Sequence, residues 1–173
     1  MPNERNRFSS CCGVAFAQTK TWPRVCQECG NPFWDNPIPV MVVLQPVIRK
    51  DGKVGLALVR RGIKPCIGEI ALAGGYLEIE NWRTGAAREL DEEGVAITDP
   101  TTLEPFRPYP YESATGHRSL LCFCLAGAIH EKDLAPFVPN SEVLERVIVY
   151  EAVEACFSTH TEAIRQFFLS QPA

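Results

Sequence analysis

From Gly74 to Val95 the chain reads G-G-Y-L-E-I-E-N-W-R-T-G-A-A-R-E-L-D-E-E-G-V, a Gly-Gly turn and then a segment predicted to be helical. At about 100° per residue, Glu92 and Glu93 fall within roughly 60° of Glu89 on either side, whereas Asp91 points away. Like charges so placed repel by a few tenths of a kcal/mol per pair in water, so a helix that keeps them is suited to hard divalent cations, Mg²⁺ or Mn²⁺. A solvated face laced with ion pairs is the plain alternative, and Arg88 with Glu92 at i,i+4 would satisfy it. It does not account for a Gly-Gly turn, a further acid at Glu80 and the run Arg88-Glu89-Leu90-x-Glu92-Glu93 occurring together. Leu90 and Ala86, four apart, belong to the core.

This spacing resembles the box of the Nudix hydrolase family, G-x5-E-x7-R-E-U-x-E-E-x-G-U with U aliphatic. Gly74, Glu80, Arg88, Glu89, Leu90, Glu92 and Glu93 match seven of its nine fixed positions. Past the helix the register slips by one, since Gly94-Val95-Ala96 stands where the box has its glycine at 95 and an aliphatic at 96. A second departure lies upstream: family members separate the Gly pair from the first box glutamate by one more residue, so either Gly74 serves as the box glycine or the loop is one residue shorter. The carbonyl that helps hold a metal in the family therefore corresponds to Ala73 or Gly74. Leu58-Val59-Arg60-Arg61-Gly62 and Ala71 to Gly75 also look like the family's strand and loop, with Arg60 and Arg61 as expected substrate-binding residues.

At 173 residues, 46% of them hydrophobic and 22% charged, the chain supports one main domain and a small appendage. No run of about 18 apolar residues is present, and the polar start Met1 to Arg7 lacks the apolar region of a signal peptide, so a cytoplasmic protein is expected. Eight cysteines in such a chain point to metal binding or buried thiols rather than disulfides. The net charge of −4 argues against nucleic acid as the main partner; a small phosphate ester held through a cation needs no basic excess.

The first 36 residues differ in texture from the rest, with Cys11-Cys12-Gly13, Cys26-Gln27-Glu28-Cys29-Gly30 and a proline-rich exit from Asn31 to Pro39. They read as a zinc-ribbon-like segment ahead of a main domain over 37–173. The second C-x-x-C-G suits one tetrahedral Zn²⁺. In the first, Ser9-Ser10-Cys11-Cys12-Gly13 puts serine where the zinc-ribbon members of the family, which the arrangement resembles, carry the first ligand. Three outcomes stay open: Cys12, Cys26 and Cys29 with Cys11 or an outside ligand, a weak site, or a metal-free ribbon held by Phe8, Phe33 and Trp34. Any zinc role would be structural.

Beyond Pro39 the pattern predicts strands over 40–48 and 54–59 joined by a turn at Lys50-Asp51-Gly52-Lys53, then the charged helix. Extended segments follow near Thr101 to Tyr111, at 119–126 and from Val147 to Tyr150, and a last helix from Glu151 to Ser170. The mixture fits an α/β/α sandwich around a mixed β-sheet, which is also what the resemblance implies. Cys66, Cys122, Cys124 and Cys156 read as buried small hydrophobes. His117 reads as a loop residue and His160 as a capping or packing residue. Tyr109 and Tyr111, interleaved with Pro108 and Pro110, are candidates to stack a nucleobase, and the stretch faintly resembles a motif of NADH pyrophosphatases.

The resemblance implies Mg²⁺ or Mn²⁺ held by Glu89, Glu92 and Glu93, with Arg88 orienting them and Glu80 assisting; the general base stays open between Glu89 and a glutamate outside the box such as Glu112 or Glu142. The expected reaction is cleavage of a nucleoside diphosphate linked to another group, such as ADP-ribose or NADH, by a homodimer. A non-catalytic nucleotide-binding or interaction module is the alternative, which the two departures from the box would suit.

Overall fold

Alternation along two neighbouring strands decides the architecture. In β3 (Ile38–Ile48) and β4 (Val54–Arg61), Met41, Val43, Val47, Ala57 and Val59 are buried on one face, and Val42, Leu44, Leu56 and Leu58 on the other. A sheet apolar on both faces needs a cover on each. The computed structural model describes residues 6–17, 21–112 and 118–171, without the side chains of 107–112, and the chain divides into units Met1–Pro37 and Ile38–Ala173.

In the larger unit β5 (Ile70–Ala71) and β6 (Ala73–Tyr76) precede helix α1 (Trp82–Glu92), and a short 3₁₀ turn at Pro100–Thr102 leads to β7 (Glu104–Glu112). β8 (Arg118–Leu125), β9 (Ile129–His130), β10 (Val143–Val149) and helix α2 (Ser158–Ser170) complete it. The sheet runs β10-β4-β3-β8-β7, with β5 on β4 and β6 and β9 on β3; β8 and β9 run parallel to β3 and the other pairs are antiparallel. Ala86, Ala87 and Leu90 of α1 cover one face, and Ala163, Ile164 and Phe167 of α2 the other. The expected α/β/α sandwich around a mixed sheet is the fold observed. Among the described residues, no helix is long and apolar enough to cross a membrane.

The last helix is shorter than its apolar pattern predicts. Residues 151–157 are not helical: the Cys156 amide bonds to the Ile70 carbonyl, and Thr161 Oγ1 bonds both the amide and the carbonyl of Ala155. Edge pairing and side-chain capping win over helix propensity there. Val153, Ala155 and Cys156 still pack on the core.

The smaller unit contains β1 (Arg24–Val25) paired with β2 (Pro32–Phe33) and a bridge between Phe8 and Ala15. Its aromatic contact is Phe16 against Phe33, 5.3 Å between ring centres, and Phe16 is buried. This corrects the expectation for Phe8 and Trp34, which are exposed: a two-stranded ribbon has one inward face, and Phe16 occupies it.

Candidate active site

Asn81 opens α1 by accepting hydrogen bonds from the amides of Arg83 and Thr84, and Gly94, at φ 66°, closes it. The Val95 amide bonds back to the Leu90 carbonyl at 2.8 Å, which turns Val95 into the core. The register slip seen in the sequence therefore falls in the helix-terminating turn, after Glu93.

Leu90 on the core side turns Glu89 and Glu93 against β6, and both are buried. Glu93 Oε2 accepts from the Gly74 amide at 3.2 Å. A β-carbon at Gly75 would lie 2.5 Å from Glu89 Oε2, so the carboxylate sits directly on the glycine backbone. Gly74 is equally constrained, since its β-carbon would lie 2.2 Å from the Met41 carbonyl oxygen of β3. The Gly-Gly pair is thus a packing requirement between strand, helix and carboxylates.

Arg88 Nη1 donates to Glu89 Oε1 at 2.7 Å and to Glu92 Oε2 at 2.8 Å, while Nη2 donates to Glu80 Oε1 at 3.0 Å and to the Tyr76 carbonyl at 2.9 Å. One guanidinium joins the helix to the loop before it. Glu80 is held below the usual carboxylate range by its own backbone amide and by Arg88. Burial pushes Glu89 up, and pushes Glu93 up to about 8, the Glu89 charge adding to the effect; the Gly74 amide and the Arg61 charge act the other way on Glu93.

Glu142, exposed just before β10, raises both buried glutamates by its charge. Two groups that sequence spacing did not reveal hold that region. Asn140 Nδ2 donates to the Glu92 carbonyl at 2.9 Å, and its Oδ1 accepts from the amides of Glu142 and Val143. Arg146 donates to the carbonyls of Gly94, Val95 and Ala135. Both contacts span some fifty positions in the chain, and no local pattern announces them.

Of the two arginines expected to bind substrate, Arg61 has its charge felt at Glu93, with its Nε donating to the Pro65 carbonyl at 2.9 Å. Arg60 is not brought to the site: successive residues on a strand face opposite ways, and its guanidinium bonds Glu145 and the Gly68 carbonyl. Tyr109 and Tyr111 lie on β7, in register with Leu121 and Ser119, and their side chains, like that of Glu112 and the whole of His117, are outside the described residues. His160 packs between Phe123 and Phe157, and its Nδ1 accepts from the Leu72 amide at 3.1 Å. Burial pushes the Cys124 and Cys156 thiols up to about 12, which suits packing and not nucleophilic work.

Three hard carboxylates, two of them buried with their charge incompletely offset, form a donor set that fits Mg²⁺ or Mn²⁺. The carboxylate oxygens of Glu89, Glu92 and Glu93 do not all approach within 4.8 Å of one another, although Arg88 Nη1 joins those of Glu89 and Glu92; among the described residues that convergence is met by Cys12, Cys26 and Cys29.

No family model and no curated protein matches the sequence. Solved structures do share the fold. A MutT/nudix family protein from Enterococcus faecalis superposes with TM-score 0.64 at 16% identity, over 79% of this chain and 62% of that one, so this chain spans under two thirds of that protein's length. A NUDIX hydrolase from Nitrosomonas europaea gives 0.62 at 21% identity over 96% and 95%. The NUDIX domain of Shewanella oneidensis NrtR, crystallised with ADP ribose, gives 0.53 at 15% over 65% and 72%. Likeness at these identities establishes the fold.

Proposed function

We propose that this chain, which has the Nudix fold, is a divalent-metal-dependent pyrophosphohydrolase. Its substrate is a nucleoside diphosphate linked to another moiety, and its products are a nucleoside monophosphate and a phosphorylated remainder. The observation that carries the reading is the pair Glu89 and Glu93: two carboxylates buried against β6, one hydrogen-bonded to a backbone amide and the other sharing Arg88 with Glu80 and Glu92. Negative charge held in this way is costly unless a cation completes it.

Glu89, Glu92 and Glu93, with the carbonyl of Ala73 or Gly74, would hold Mg²⁺ or Mn²⁺. When bound, the cation supplies positive charge that offsets the diphosphate and polarises phosphorus. Arg88 keeps the carboxylates in place between the helix and the Glu80 loop. Glu89 or Glu142 accepts the proton of the attacking water as the new P–O bond forms and the bridging P–O bond breaks toward the leaving phosphate. Arg61, whose charge is felt at Glu93 while its guanidinium lies over the Phe157 ring and bonds the Pro65 carbonyl, is the cation that would meet a phosphate oxygen.

ADP-ribose and NADH are the favoured substrates: the box reads only the diphosphate, and the choice is supported by the faint likeness of residues 108–111 to a motif of NADH pyrophosphatases and by the NrtR domain having been crystallised with ADP ribose. The same reading takes a small nucleotide, rather than nucleic acid or membrane, as partner, a homodimer as the working form, the cytoplasm as compartment, and a structural Zn²⁺ on Cys12, Cys26 and Cys29. The test is incubation of the full chain with Mg²⁺ or Mn²⁺ and ADP-ribose, NADH, FAD, diadenosine polyphosphates or nucleoside triphosphates, following monophosphate release beside Glu93→Gln. Release that the variant lacks is expected. Silence across the panel with ligand binding retained would instead make the chain a nucleotide-binding module.

A further inference from the structure

The two cysteine turns of the smaller unit are the same turn twice, and the comparison assigns a role to a residue that is not a cysteine. Ser9 corresponds to Cys26, Cys12 to Cys29, and Gly13 to Gly30, the glycines at φ 74° and 72°. The Gly13 amide bonds to the Ser9 carbonyl and the Gly30 amide to the Cys26 carbonyl, both at 2.9 Å. The Ser9 amide bonds to the Val14 carbonyl as the Cys26 amide does to that of Asn31, five residues on in each case. The side chain of Ser9 is itself held in the turn, since the amides of Cys11 and Cys12 donate to Ser9 Oγ at 3.2 and 3.3 Å.

Three sulfurs, those of Cys12, Cys26 and Cys29, already converge within 4.8 Å, with Cys12 and Cys26 at 3.5 Å. Ser9 is 2% exposed and its Oγ stands 3.8 Å from Cys29 Sγ. Tetrahedral zinc with Zn–S near 2.3 Å and Zn–O near 2.0 Å sets S···S at about 3.8 Å and O···S at about 3.5 Å, so these separations are close to those of a closed site. Cys11 is turned elsewhere: it is exposed, and its sulfur accepts from Asn31 Nδ2 at 3.1 Å.

We propose that the smaller unit is a Ser-Cys₃ zinc site in which Ser9 Oγ, and not Cys11, is the fourth ligand. The proposal rests on the structural-zinc part of the reading above. Each thiol gives its proton to solvent on binding, so three thiolates leave the site one negative charge poorer than four would. The result is a site that holds zinc less tightly and exchanges it more readily than an all-cysteine ribbon.

The full chain is titrated with Co²⁺, reading the thiolate-to-cobalt absorption that carboxylate sites do not produce, and Zn²⁺ affinity is measured by chelator competition. Wild type should show three thiolates. Ser9→Cys, whose sulfur keeps the two amide hydrogen bonds, should show four and bind Zn²⁺ about tenfold or more tightly. Cys11→Ser should change neither reading, and Ser9→Ala should weaken binding. Loss of a thiolate in Cys11→Ser, or unchanged affinity and spectrum in both Ser9 variants, would overturn the role of Ser9 while leaving zinc in place. No thiolate-to-cobalt band in wild type would overturn the zinc reading itself.

Discussion

Gly75 and Glu89 show how a single missing side chain positions a charged one. The Glu89 carboxylate occupies the space a β-carbon at Gly75 would fill, and it cannot withdraw without giving up Arg88. Gly75→Ala should therefore lower turnover by about a hundredfold through misplacement, while costing roughly 1–3 kcal/mol of stability. Steady-state rates beside a denaturation curve separate the two. His160 makes a residue-scale prediction about pH. Burial and the Arg61 charge lower its pKa from 6.5 to about 3, and its neutral Nδ1 accepts the Leu72 amide between the rings of Phe123 and Phe157. A depressed folded-state value means the contribution is fully present above about 6.5 and lost as pH falls from there toward 3, at up to about 1.4 kcal/mol per pH unit. Urea unfolding between pH 4 and 7 should show that slope, and His160→Gln should flatten it. An unchanged slope would move its origin to other groups.

At the scale of elements, the C-terminal end of α1 is fastened by groups far away in the sequence. Asn140 bonds the Glu92 carbonyl with one end of its amide and orders the entry to β10 with the other, and this is where Glu142 begins its approach to the glutamates. Asn140→Ala removes all three bonds. It should cost about 1–3 kcal/mol, measured by chemical denaturation, and should reduce turnover even though Asn140 touches no catalytic carboxylate. Loss of stability with full activity would make the residue a structural cap alone. The length of α2 carries a related lesson. The apolar positions at Val153, Ala155 and Cys156 are partly buried against the core, but the backbone at Cys156 bonds to Ile70 of β5. Burial can be read from composition along a segment; the hydrogen-bond partner that competes with the helix lies in another element.

For the whole molecule, the division into Met1–Pro37 and Ile38–Ala173 leaves the core on both faces of the sheet within the larger unit. Residues 38–173 alone should fold cooperatively and retain metal-dependent hydrolysis, checked by thermal unfolding and by the same panel of substrates; a chain that fails to fold would show that the smaller unit is needed. What the amino-acid sequence determined by itself was local and periodic. Alternation made β3 and β4 two-faced strands, Asp51-Gly52 placed the turn between them, and 3.6-residue spacing put Glu89, Glu92 and Glu93 on one side of α1. Those depend only on neighbours along the chain. Tertiary structure alone decided which of Arg60 and Arg61 has its charge felt at Glu93, that Asn140 and Arg146 brace the helix end, and that Phe16 rather than Phe8 or Trp34 packs the ribbon. It also decided that the sulfurs of Cys12, Cys26 and Cys29 converge and that Ser9 Oγ comes within 3.8 Å of Cys29 Sγ. Each of these depends on which distant segment fills the space opposite, and on how far that packing removes a charge from water, neither of which residue spacing encodes.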